Sequence, residues 1–118
     1  MEQYVIEGQT KLRGVLPVHG AKNAALPILA GTLLVPGACE IHNCPVLSDV
    51  AAAAAILQSL GCRVQQEPGV VTVDATTMSG TCISEEMMRT MRSSMLFLPA
   101  ILSRAGSATV CYPGGCDI

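Results

Sequence analysis

The chain has 118 residues, half of them apolar, 14% charged and 3% aromatic, with a net charge of −2. That balance excludes a disordered chain, which pairs low hydrophobicity with high net charge, and the unperiodic placing of 11 Gly and 7 Pro excludes a collagenous one. Seven scattered Lys and Arg residues make no basic face, so nucleic acid is not an expected partner.

Neither is a membrane, because the longest apolar stretches, 51–57 and 95–102, fall far short of the ~20 residues that span a bilayer. MEQYVIEGQT has no secretory-signal pattern, which points to a cytoplasmic protein with reduced cysteines.

Strand signals open the chain at Tyr4–Glu7 and Leu12–Val18. After Gly20-Ala-Lys-Asn, the run AALPILAGTLL predicts a largely buried helix using Ala24, Leu26, Ile28, Leu29 and Leu33. Pro27 is tolerable there if it falls in the first turn. Val35-Pro36-Gly37 ends this helix, and Ala38–His42 reads as a short strand. Ser48 is the expected cap of a second helix, with Asp49 in its first turn and Gly61 as its stop. Arg63–Gln66 and Val70–Asp74 read as a hairpin around Glu67-Pro68-Gly69.

A third helix is expected from Ser84 to Gly106, kinked at Pro99. Its apolar stripe is Met87, Met91, Ser94/Met95, Leu98 and Leu102, with Arg89, Arg92 and Ser93 on another face. Ala108–Tyr112 closes the series as a strand. The order implies an α/β (α+β) fold with right-handed crossovers. Leu26-Pro27, Gly37 and ACEI return as Leu98-Pro99, Gly106 and SATV at offsets of 72 and 69 residues, which suggests a βαβαββ unit begun a second time.

Three segments could carry chemistry. Gly20-Ala21-Lys22-Asn23 puts small residues and a cation at a helix start, where free N–H groups and the dipole favour a phosphate or carboxylate. A solvated lysine and a simple Asn23 cap are the ordinary readings of the same residues. Arg89 and Arg92 either pair with Glu85 and Glu86 or recognise an acidic ligand. In Pro113-Gly114-Gly115-Cys116-Asp117, two glycines precede an accessible loop thiol. The other cysteines suit small buried positions. Cys39/Cys44 and Cys111/Cys116 are spaced C-x4-C, wider than the usual zinc knuckle. His19 and His42 are isolated, so no Cys-His dyad is indicated.

GAKNAALPILAGTLL at 20–34, MRSS at 91–94 and LPAIL…YPGGCDI at 98–118 together resemble the UDP-N-acetylglucosamine 1-carboxyvinyltransferase family, along the whole chain and in register. These enolpyruvyl transferases begin peptidoglycan precursor synthesis, and fosfomycin targets them. The alternative reading is a non-catalytic binding or interaction module of the same fold, and the 3-phosphoshikimate enolpyruvyl transferases, which usually open on a GSKS-type sequence, are a more distant match.

The resemblance implies substrates phosphoenolpyruvate and UDP-N-acetylglucosamine and no metal or organic cofactor. It places Lys22 and Asn23 on phosphoenolpyruvate, Arg92 on the UDP-sugar, and Cys116 as general acid and site of alkylation. Asp117 departs from the small or hydroxyl residue of many members. The implied fold is an inside-out α/β barrel of βαβαββ units, of which 118 residues are about one and a half. Residues 1–21 would be strands of the other domain, and 22–118 an incomplete domain ending in the catalytic loop. Such a chain is expected to be inactive alone and to self-associate through apolar faces.

Overall fold

In the computed structural model, which describes residues 2–111, regular structure begins at Lys22. Helix α1 spans Lys22–Gly31 and runs into a 3-10 turn, Thr32–Leu34. It buries Ala25, Leu26, Leu29 and Ala30, with Leu33 following in the turn, which is the spacing of a single helix face. Burial is less complete than the sequence suggests, since Ala24 and Ile28 face solvent. The helix also starts earlier than expected, so Pro27 lies beyond the first turn and withdraws the amide that would bond the Asn23 carbonyl.

Strand β1, Ala38–His42, leads to helix α2, Ser48–Ser59. Ser48 is not its cap. Leu47 holds that position with no side-chain hydrogen bond, and Ser48 is already helical. Val50, Ala53, Ala54, Ile56 and Leu57 are buried, and the alanines let α1 approach closely. Gly61, at φ +97°, turns the chain in a conformation that side chains rarely adopt. Strands β2, Arg63–Glu67, and β3, Val70–Asp74, then form the expected hairpin.

The sheet order is β1-β3-β2, with β3 antiparallel to both neighbours. The crossover through α2 therefore lays β1 and β2 parallel, and β3 fills the space between them. Val71 and Val73 of β3 point into the core while alternate residues are partly exposed, as in a sheet covered on one face.

Beyond the sheet, Ser84 caps helix α3, Glu85–Thr90, its Oγ accepting from the Met87 N–H at 3.3 Å. The single long helix predicted from here is in fact two. Met91 is extended, a 3-10 turn covers Ser94–Leu96, and helix α4 spans Phe97–Ala105. The break lies at 91–93 rather than at Pro99, which falls in the first turn of α4 where its missing amide costs nothing. Leaving the helical path buries Met91 and brings Ser94 Oγ to the Met88 carbonyl, 2.9 Å away and also buried. The phase of the apolar stripe shifts accordingly. Met88, Met91, Phe97, Ala100 and Ile101 are buried, whereas Met95 and Leu102 are exposed.

Arg104 ties these layers together, donating from Nη1 to the Leu33 carbonyl at 2.8 Å and from Nη2 to the Ala75 carbonyl at 3.1 Å. The strand predicted at Ala108–Tyr112 is one parallel bridge, Cys82 with Thr109, joined by hydrogen bonds of Thr109 to Thr81 and Ile83. Tyr112 lies outside the described residues, and the sequence did not reveal that Thr81–Ile83 is the partner. The helix-then-strand order of α1 and β1 thus begins again with α4 and the Thr109 bridge.

The two opening strands are not formed. Tyr4–Glu7 and Leu12–Val18 have no ladder partner among the described residues, and Leu12, Val15, Leu16 and Val18 are exposed. This extended segment raises the radius of gyration to 17.1 Å, above the roughly 13.5 Å of a compact domain of this length. Among the described residues, no helix is long and apolar enough to cross a membrane.

Candidate functional site

The start of α1 is fixed at two points, one on the β1–α2 connection and one on the start of α2. First, the Gly20 N–H donates to the Asn43 carbonyl at 3.1 Å. A Cβ at Gly20 would collide with that carbonyl oxygen, so only glycine lets the two backbones come this close. Asn43 itself turns through φ +53°, which asparagine tolerates better than most residues. Second, Lys22 Nζ lies 3.2 Å from Asp49 Oδ2, which bridges the first turn of α1 and the first turn of α2.

These contacts follow from local sequence. Ala21 is extended and accepts from the N–H groups of Ala24 and Ala25, so the helix begins immediately after the Gly20 latch. The next side chain is Lys22, which is therefore carried at the positive end of α1. Its side chain remains 48% exposed and that of Asp49 27% exposed, so the ammonium is held yet still open to solvent. An ammonium carries three N–H donors, and the single contact with Asp49 leaves others for a ligand. Asn23, also exposed, is the next residue.

A cleft of about 140 Å³ lies beside this point, lined by Gly20, Ala24, Ile28, His42 and Cys44 among others. It is smaller than the pockets that enclose drug-sized ligands, roughly 300–1,000 Å³. Lys22 is not among the residues lining this cleft, so the half-exposed ammonium can meet an anion at the helix start, but the cleft cannot by itself enclose a large substrate.

The other predicted site residues are distributed as follows. Arg89 pairs with Glu85 one turn away, which is the ordinary role of such a pair. Arg92 lies in the break after α3, not on a shared helix face with Arg89. It is exposed, with no ion pair among the described residues. Cys116 and Asp117 lie outside the described residues. Burial pushes the thiols of Cys44 and Cys62 up, so both are poor nucleophiles near neutral pH. Among the described residues, no three His, Cys, Asp or Glu side chains are grouped to hold a metal ion.

The sequence places Asp49 where the helix dipole favours it but gives no sign of its pairing with Lys22. The two residues are 27 positions apart, and no periodicity links the starts of two different helices. Arg104 was likewise only one of seven scattered cations until the fold brought it to two carbonyl groups.

The family described as EPSP synthase (3-phosphoshikimate 1-carboxyvinyltransferase) matches residues 6–118. UDP-N-acetylglucosamine 1-carboxyvinyltransferase 2 of Caldanaerobacter subterraneus subsp. tengcongensis is 44% identical over 100% of the chain. UDP-N-acetylglucosamine 1-carboxyvinyltransferase 1 of Symbiobacterium thermophilum is 43% identical over 99%. The chain spans about 28% of the length of these relatives. It also superposes on the crystal structure of the enolpyruvyl transferase NikO from Streptomyces tendae with a TM-score of 0.76, covering 86% of this chain and 24% of that one. At 24% identity, this likeness shows a shared fold.

Proposed function

The chain belongs to the EPSP synthase family, and on that premise we propose that the protein carrying it transfers the enolpyruvyl group of phosphoenolpyruvate to the 3′-hydroxyl of UDP-N-acetylglucosamine, releasing phosphate. The observation that carries this reading is the 44% identity over the whole chain with a relative of that name. In peptidoglycan precursor synthesis this is the first committed step.

The chemistry uses few groups from this chain. The sugar 3′-hydroxyl gives its proton to a base as its oxygen adds to C2 of phosphoenolpyruvate, and C3 takes a proton from the Cys116 thiol. The resulting tetrahedral intermediate then returns a proton from C3 to the Cys116 thiolate and expels phosphate, restoring the double bond. Lys22, with Asn23 beside it, offsets charge on the phosphate and carboxylate as it redistributes. Arg92 contacts the UDP-sugar. Residues 1–21 pair with a part of the protein beyond these 118 residues, which fits the exposed apolar side chains of that segment. The 118-residue chain alone does not turn over, and its exposed apolar faces favour self-association.

The test is phosphate release by the full-length gene product with both substrates present. Lys22→Ala and Cys116→Ser should each lower kcat/KM by about 100-fold or more. No release by the unmodified protein would overturn the reading. The family description itself supports a second acceptor, 3-phosphoshikimate. Offering the two acceptors separately decides between them, and release with 3-phosphoshikimate alone would favour the second.

A further inference from the structure

We infer that Asp49 is a positioning residue for Lys22, an inference that rests on the proposed reaction. Lys22 has a flexible four-carbon stem, and a compact ammonium on such a stem has no preferred direction of its own. Two features supply one here. The Gly20–Asn43 latch sets the start of α1 against the β1–α2 connection, and Asp49 Oδ2 receives the ammonium at 3.2 Å. The latch adds to the packing of α1 on α2 in setting the separation of the two helix starts. Without the carboxylate, the ammonium would sample the open side of α1.

A carboxylate beside a substrate-binding cation could equally be a competitor that weakens anion binding. The location of Asp49 argues for positioning instead. It stands in the first turn of a 12-residue helix, where the positive end of α2 already favours its charge. The pair is monodentate and Lys22 stays half exposed, so an arriving phosphate or carboxylate can use the remaining N–H donors without displacing Asp49. The two roles predict opposite signs when the carboxylate is removed. A competitor's removal tightens anion binding, whereas a positioning residue's removal loosens it.

The experiment compares Asp49→Asn and Asp49→Glu in the full-length gene product. Positioning predicts that Asp49→Asn raises the KM for phosphoenolpyruvate about 10-fold, leaves the KM for UDP-N-acetylglucosamine within twofold, and moves Tm by less than 3 °C. Asp49→Glu should restore most of the loss. In this 118-residue chain, the ¹³C signals of dimethylated Lys22 should be broadened in the unmodified sequence and sharpen toward free-lysine mobility in Asp49→Asn.

A lower phosphoenolpyruvate KM in Asp49→Asn, an equal rise in both KM values, or Lys22 mobility unaffected by the substitution would each overturn the inference. An unmodified enzyme that releases no phosphate would overturn the proposed reaction. The Lys22 mobility measurement would still decide whether Asp49 holds the ammonium.

Discussion

Val70–Asp74 and Leu12–Val18 are both short runs rich in aliphatic residues, and either reads as a strand. In β3, Val71 and Val73 are buried, and the backbone pairs with β1 on one side and β2 on the other. Across Leu12–Val18, Val15 is 97% exposed and the backbone has no ladder partner among the described residues. Strand propensity reflects packing on a pleated, half-buried surface more than any preference of the isolated backbone. A run acquires strand geometry when neighbours supply hydrogen bonds along its edges and cover one of its faces. Residues 20–110 supply both to β3 and neither to 12–18.

The sharpest way to break this contrast is to compare truncations in the two regions. Phe97 is fully buried where α4 joins the core, and Phe97→Ala should cost about 3–5 kcal/mol by urea unfolding. Val15→Ala should change stability by less than about 0.5 kcal/mol. Similar losses at both sites would mean that 12–18 packs against the body after all. Hydrogen exchange tests the same point without mutation. The amides of Val71 and Val73 should be strongly protected, while those of 4–18 should exchange at nearly the free-peptide rate.

An intermediate effect is expected at Ser94. Its Oγ satisfies the buried Met88 carbonyl at the break between α3 and α4, and Ser94→Ala should cost about 1–3 kcal/mol by leaving that acceptor unpaired. Ala100, buried nearby without a polar side chain, provides the apolar contrast.

This break also shows what the sequence could reveal. The hairpin, the helix start at Ser84 and the stops at Gly61 and Gly106 are legible because each depends on a few adjacent residues, although Ser48 misleads as a cap. The break at 91–93 was not, since it depends on Ser94 finding Met88 and on the core accepting Met91. A continuous helical phase gave the wrong stripe there. The site divides the same way. Lys22 at a helix start was legible from Gly20-Ala-Lys-Asn, but Asp49 as its partner required the tertiary approach of α2. Leu12–Val18 has no strand partner among the described residues for the same reason, since pairing is a property of two segments.

A smaller effect concerns thiols. Cys44 and Cys62 belong to the packed body, where burial raises their pKa, so they should be the last to react with iodoacetamide at pH 7.5. Among the described residues, Cys82 and Cys111 are exposed and should react before these two by peptide mass spectrometry. Early loss of Cys44 would mean that the β1–α2 connection, and with it the Gly20 latch, opens readily.

The smallest effect lies at the end of β3 itself. Hydrogen bonding from Thr76, through its side chain first and then its N–H 2.9 Å from Asp74 Oδ1, holds the Asp74 carboxyl below the ordinary value of 3.8, with Arg63 nearby as a lesser cause. A carboxylate favoured by the fold contributes stability above its unfolded pKa, and the contribution disappears as pH falls through the lower folded value. Asp74→Asn should therefore be slightly less stable than the unmodified chain at pH 6, with the difference closing below about pH 4. Because a short-range hydrogen bond dominates, 1 M salt should leave most of the difference in place, whereas an effect owed to Arg63 would be screened. A difference that persisted into acid would place the origin in packing at the end of the strand rather than in the charge of Asp74.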